Sequence, residues 1–130
     1  MPQDANAVLQ ASVTKTATFT GAAFTLPGGT PRRGLKARVI YSAATNASGS
    51  NSVTFQLAMS YDGGSTFNVE AQADPINLST TAQSGEIFIP FEISPTSVAN
   101  GTQIELLAAF AGSGSTPTIT YESALVLARP

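Results

Sequence analysis

The chain has no cysteine, no histidine and no tryptophan among its 130 residues. Without cysteine there is neither a disulfide staple nor a thiolate nucleophile. Without histidine the commonest general base and the commonest metal ligand are missing, and a Ser–His–Asp relay is excluded. Charge is scarce too: Asp, Glu, Lys and Arg make up 11% of the chain, roughly half the share of about 25% usual in soluble domains. Ser, Thr, Asn and Gln must clothe the surface instead, and such a surface has few charges to desolvate when it docks. No apolar run approaches the roughly 18 residues that a membrane helix needs, so no membrane partner is expected. The opening MPQDANAVLQAS has no basic segment leading into an apolar one. No signal peptide is therefore expected, and the sequons at Asn46, Asn77 and Asn100 carry no weight. Nucleotide-binding glycine loops and an Asp-rich calcium loop are absent as well. No cofactor, no metal and no enzymatic activity are expected.

What is present is alternation. One domain is the natural reading of 130 residues, a length that buries a core without staples. In SVTFQLAMS, Val53, Phe55, Leu57 and Met59 share one face; in LKARVIYSA, Leu35, Ala37, Val39 and Tyr41 do, with Lys36 and Arg38 pointing the other way. GEIFIPFEI sets Ile87, Ile89, Phe91 and Ile93 against Glu86, Phe88, Pro90 and Glu92, while TITYESALVLA stacks Ile119, Tyr121, Ser123, Leu125 and Leu127. This is the period of half-buried antiparallel strands. TQIELLAAFAG has helix-forming composition, but Ile104, Leu106, Ala108 and Phe110 alternate and turn signals flank it, so it too is read as a strand. Pro90 inside a strong strand predicts an edge or a bulge. About eight strands follow, near 13–20, 22–26, 35–44, 52–60, 66–72, 85–93, 103–111 and 117–128. The expected fold is all-β without significant helix: a single-domain antiparallel two-sheet β-sandwich of jelly-roll type over residues 13–130. The polar residues 1–12 are expected to form an N-terminal arm, and Pro2, Gln3 and Asp4 become contact candidates.

SYDGGSTF, residues 60–67, resembles the Asp-box of sialidases and other sugar-handling propellers. In those proteins the motif recurs once per blade as a structural turn. Here it occurs once, and no propeller-length repeat accompanies it. Ser60, Asp62, Gly63, Gly64 and Thr66 are therefore assigned to a hairpin turn, glycine supplying positive φ and Ser and Thr bracing it. Tyr61, at the tip, is the one aromatic placed to contact a glycan.

Carboxylate pairs for glycoside hydrolysis are not evident. Glu86 and Glu92 lie six residues apart on one strand face, roughly 20 Å at strand rise. Glu105 and Glu122 could meet across strands, but no His or Trp is at hand to build a sugar subsite around them. The one charged feature above background is PRRGLKAR: Arg32, Arg33, Lys36 and Arg38 are four of the six basic residues and fall within seven positions. Such a cluster reads either as solvated charge that discourages edge pairing or as a docking patch for an acidic surface. The net charge of −2 argues against nucleic acid.

The order of features, from FTLPGG through the long LKARVIYSAATNASGSNSVTFQLAMSYDGG to the closing TQIELLAAFAGSGSTPTITYESALVLAR, resembles the small jelly-roll cement (decoration) proteins of tailed-bacteriophage capsids. The resemblance implies a non-catalytic structural protein on the capsid exterior. It would bind the shell of major capsid protein and stabilise it, as a dimer or trimer made in the host cytoplasm. Arg32, Arg33, Lys36, Arg38 and the arm would then be its contacts. The alternative, from another class, is a carbohydrate-binding β-sandwich: a module of a virion tail or fibre, or a secreted lectin-like protein.

Overall fold

A computed structural model describes residues 3–26, 34–93 and 102–126. Among these there is no helix, and ten strands build two antiparallel sheets that face each other as a sandwich. The strands are β1 (Gln3–Lys15), β2 (Phe19–Thr20), β3 (Phe24–Thr25), β4 (Leu35–Thr45), β5 (Asn51–Ser60), β6 (Asn68–Gln72), β7 (Ile76–Leu78), β8 (Gln83–Phe91), β9 (Gln103–Gly112) and β10 (Thr118–Val126). The first sheet runs β1-β10-β4-β8 and the second β2-β9-β5-β6, with β3 continuing the β9 edge and β7 the β5 edge. With β2–β3 and β6–β7 each counted as one interrupted edge, eight strands remain, in the paired-sheet order of a jelly roll.

Alternation dictates this arrangement, because each strand has one apolar face to hide. From the second sheet, Val53, Phe55, Leu57 and Met59 on β5 and Ile104, Leu106 and Ala108 on β9 point inward. From the first, Leu35, Ala37 and Val39 on β4, Ile89 and Phe91 on β8, and Ile119, Tyr121 and Leu125 on β10 meet them. Each large side chain so buried contributes roughly 1.5–3 kcal/mol against the entropy of ordering the chain. Phe55 and Tyr121 join the sheets edge to face, their ring centres 4.9 Å apart at 66°, a preferred aromatic geometry. β9 alternates between buried and half-buried residues over 103–108 and pairs with β5 over ten residues without a shift, so packing overrides its helical composition. Pro90 lies on β8, an edge strand of the first sheet, where a missing N–H is tolerated.

Two departures from strict alternation matter. Residues 3–12, expected to form a separate arm, run instead as the greater part of β1, paired with β10 at the edge of the first sheet. The ladder contains three register shifts, between Gln3 and Val8, Val8 and Gln10, and Gln10 and Val13. Each extra residue in a bulge reverses the in/out phase, which is why the segment looks patternless in sequence. The strand expected over 13–20 is accordingly split between the end of β1 and the two-residue β2. The second departure is in β4, where a shift after Tyr41 puts Ala43 in the left-handed region, φ 53°. That bulge re-aims the chain so that Ala44, not Ala43, enters the core.

The Tyr121 hydroxyl is buried with no hydrogen-bond partner, and burial pushes its pKa up to about 12. An unpaired buried hydroxyl costs about 1–3 kcal/mol. Tyr121→Phe keeps the ring against Phe55 and removes that cost, so chemical denaturation should find the variant as stable as the parent or more so, by up to about 1–3 kcal/mol. A clear loss of stability would show that the hydroxyl has a partner in solution.

Candidate functional site

The inward faces of the strands are consumed by the core, so a binding surface must be sought on the outward ones. Cross-strand register lays out the outer face of the first sheet as rows. Val8, Ala124, Arg38 and Phe88 stand opposite one another across β1, β10, β4 and β8. The next row holds Glu122, Ile40 and Glu86; on the other side lie Val126, Lys36 and Pro90. Four large hydrophobic side chains are exposed among the described residues, and three of them, Val8, Ile40 and Phe88, are on this one face. The fourth, Val69, is on β6 of the other sheet. Phe88 is 46% exposed, the only aromatic side chain among these four.

Charged groups surround the apolar ones. Arg38 Nε donates to Glu86 Oε2 in an ion pair whose side chains remain about two-fifths exposed, at 36% and 42%. The Lys36 ammonium lies 5.0 Å from the centre of the Phe88 ring, within cation–π range. At this exposure such contacts hold side chains in place more than they stabilise the fold. Beside them, β10 floors a depression of about 140 Å³ walled by Val8 and Gln10 of β1 and Arg38 and Ile40 of β4, with Glu122 and Ala124 beneath. It is open because Ala124 is the smallest side chain in its row. The buried Ser123 hydroxyl donates to the Arg38 carbonyl at 2.8 Å, tying β10 to β4 at that level.

The hairpin at 60–66 is a different kind of structure. Ser60 Oγ donates to Asp62 Oδ1 at 2.7 Å and accepts from the Gly64 N–H at 2.9 Å. Asp62 Oδ1 also accepts from the Ser65 and Thr66 N–H groups at 3.1 and 3.0 Å. Gly63 and Gly64 take φ of 80° and 96°, where a side chain would be strained. The Ser60 hydroxyl and Asp62 Oδ1 are thus spent on the turn itself. Tyr61 is half-buried, packs against the core and places its hydroxyl 3.3 Å from Glu70 Oε1. It is not an open stacking platform. Phe88, which sequence reading passed over, is the more exposed aromatic, with the Lys36 ammonium over its ring. The available signal was its phase, since GEIFIPFEI places Phe88 outward with Glu86, Pro90 and Glu92.

Lys36 and Arg38 are on the outer face, engaged with Phe88 and Glu86, and Arg32, Arg33 and Pro2 lie outside the described residues. Gln3 and Asp4 fall within β1. Glu105 is on β9 and Glu122 on β10, in different sheets, so these two carboxylates do not meet across neighbouring strands.

No protein-family model matches the chain, and no curated protein sequence does. Solved structures do align with it. The N-terminal cellulose-binding domain of Cellulomonas fimi β-1,4-glucanase C aligns over 92% of this chain and 90% of its own at 12% identity, TM-score 0.40. TmCBM61, solved in complex with β-1,4-galactotriose, aligns over 98% and 86% at 12% identity, TM-score 0.38. The family 11 carbohydrate-binding module from Clostridium thermocellum, in complex with a β-1,3-1,4-mixed-linked tetrasaccharide, aligns over 92% and 88% at 10% identity, TM-score 0.36. At these values no residue correspondence is carried across. The expected capsid cement role finds no counterpart among these three structures, a cellulose-binding domain and two carbohydrate-binding modules, and is not carried forward. The layout that suggested a cement protein is the layout of the jelly roll itself, which many functions share.

Asp62 is held below its ordinary pKa of 3.8, first by the Ser60 hydroxyl and then by the Thr66 N–H. A depressed folded-state pKa stabilises the turn above the unfolded value, and that contribution is lost as pH falls through the folded one. The Ser65 and Thr66 amide resonances should therefore hold steady from neutral pH to about 4 and move only below that. Asp62→Ala should show the loosened turn already at pH 7. Unchanged amides in that variant would contradict the assignment.

Proposed function

We propose that the chain is a non-catalytic carbohydrate-binding β-sandwich, and that its glycan contacts the outer face of the first sheet. The observation that carries this is the gathering of Val8, Ile40 and the exposed Phe88 among Lys36, Arg38, Glu86 and Glu122 on that single face. A sugar ring presents an apolar C–H face and a rim of hydroxyls. The first calls for an exposed aromatic or aliphatic surface, the second for donors and acceptors such as guanidinium and carboxylate. A depression with a few convergent polar groups beside such a surface is the expected form of a small-molecule site.

The same geometry supports binding without hydrolysis. Glu86 and Glu122 flank Ile40 two strand spacings apart, about 10 Å, but Glu86 is paired with Arg38 and both stand on an open face. A glycosidase needs one carboxylic acid kept protonated in a sheltered environment. Nothing among the described residues shelters one from water.

Screening the purified chain against a glycan array tests the proposal; β-1,4-galactotriose and a mixed-linked β-1,3-1,4 tetrasaccharide are reasonable first probes in solution. Losing the stacking surface in Phe88→Ala removes roughly 1.5–3 kcal/mol of burial, so affinity should fall about tenfold to a hundredfold. Tyr61→Phe should bind as the parent does. Binding that survives Phe88→Ala but fails in Tyr61→Phe would move the site to the hairpin and reject this face.

A further inference from the structure

The register and charge of this face also say what kind of glycan it would take; this inference rests on the carbohydrate-binding proposal. We propose that the ligand is an uncharged oligosaccharide of three or more residues that crosses the strands, and that Ala124 is the residue that admits it.

Phe88 lies on β8, at one edge of the sheet, and the depression lies two strands away, over β10. Both belong to the row Val8–Ala124–Arg38–Phe88. Three inter-strand steps make that row about 14 Å long. A single sugar reaches the aromatic ring or the depression, not both. A ligand that uses the whole row must extend across β4, over Arg38 and Ile40.

Ala124 decides whether it can. Every other side chain in the row is large, and Val8 and Phe88 stand well into solvent. Ala124 points outward, away from the core cluster, yet is only 8% exposed, because its taller neighbours overshadow it. It is the low point of the face. A leucine there would fill the depression with atoms while leaving the inward face of β10 untouched.

Charge supplies the second restriction. Among the described residues, the face and its margin carry two cations, Lys36 and Arg38, and three carboxylates, Glu86, Glu122 and Glu92 just beyond β8. Arg38 is already paired with Glu86, so a carboxylate or sulfate on the ligand would have to compete for it. A group seated over Ala124 would also face Glu122, which lines the same depression. Like charge repels, and a buried anion without its own partner is costly. Hydroxyls suffer neither penalty.

An array that pairs uncharged oligosaccharides of one to six residues with carboxylated and sulfated ones of the same lengths tests both parts. Calorimetry should then follow on each glycan that binds. Uncharged trisaccharides and longer chains should bind at least tenfold more tightly than mono- and disaccharides. Ala124→Leu should lose at least tenfold, whereas Ala124→Ser, which keeps the depression, should match the parent; melting curves check that both are folded. Glu122→Gln should narrow the gap in affinity between uncharged and carboxylated ligands. The inference is overturned if a charged glycan binds as tightly as its uncharged counterpart, if monosaccharides bind as tightly as trisaccharides, or if Ala124→Leu binds normally while Phe88→Ala does not. Should Ala124→Leu not fold, the length series and Glu122→Gln decide. If no glycan of any kind binds, the carbohydrate reading fails and this inference with it.

Discussion

The packing of β5 and β9 against β4 and β10 is the constraint on which the rest of the structure depends. Phe55 from one sheet meets Tyr121 from the other at 4.9 Å, and around that contact the inward side chains of all four strands are essentially excluded from solvent. Because side chains alternate, a strand whose odd positions are locked in a core has no freedom in the placement of its even ones. Tyr121 and Leu125 face inward, so Glu122 and Ala124 face outward; Ala37 and Val39 fix the direction of Lys36, Arg38 and Ile40 in the same way. The core thus does the positioning for the outer face. A surface built on paired strands holds its side chains more rigidly than one built on loops, which suits a site that must meet its ligand preorganised.

Two further devices shape that face. Bulges in β1 turn the phase of the edge strand, so that Val8 stands out as a wall of the depression while Leu9 is buried. The ion pair between Arg38 and Glu86 and the placement of Lys36 over Phe88 then order the long side chains between the aromatic ring and the depression. Exposed contacts of this type add little to stability. Their consequence is geometric: Glu86 engages the Arg38 guanidinium and Lys36 lies over the Phe88 ring, which fixes where these groups stand on the face.

Most of the fold was legible in the sequence because the strands that dominate it keep period-two alternation over most of their length, β8 and β9 above all. The strand over residues 3–12 was not, since register shifts scramble the only signal a half-exposed edge strand has. The three-residue β7 is too short to show a period. The 60–66 turn was legible because its hydrogen bonds are local, between residues two to four apart. The outer face was legible only in part. Outward phase marks Phe88 and Ile40 one strand at a time, but no local pattern says that β4 lies between β8 and β10. That order comes from long-range pairing, and with it the row that joins Phe88 to Ala124. Ala124 gives no signal of its own, as its role is to be smaller than its neighbours.

The measurement that bears most directly on this account is an NMR titration of the labelled chain with a glycan found to bind. Amide shifts that cluster at Val8, Arg38, Ile40, Phe88 and Ala124, on four strands of one sheet, are the predicted result. Shifts confined to the 60–66 turn or to the outer face of β5 and β9 would contradict it and place the site elsewhere.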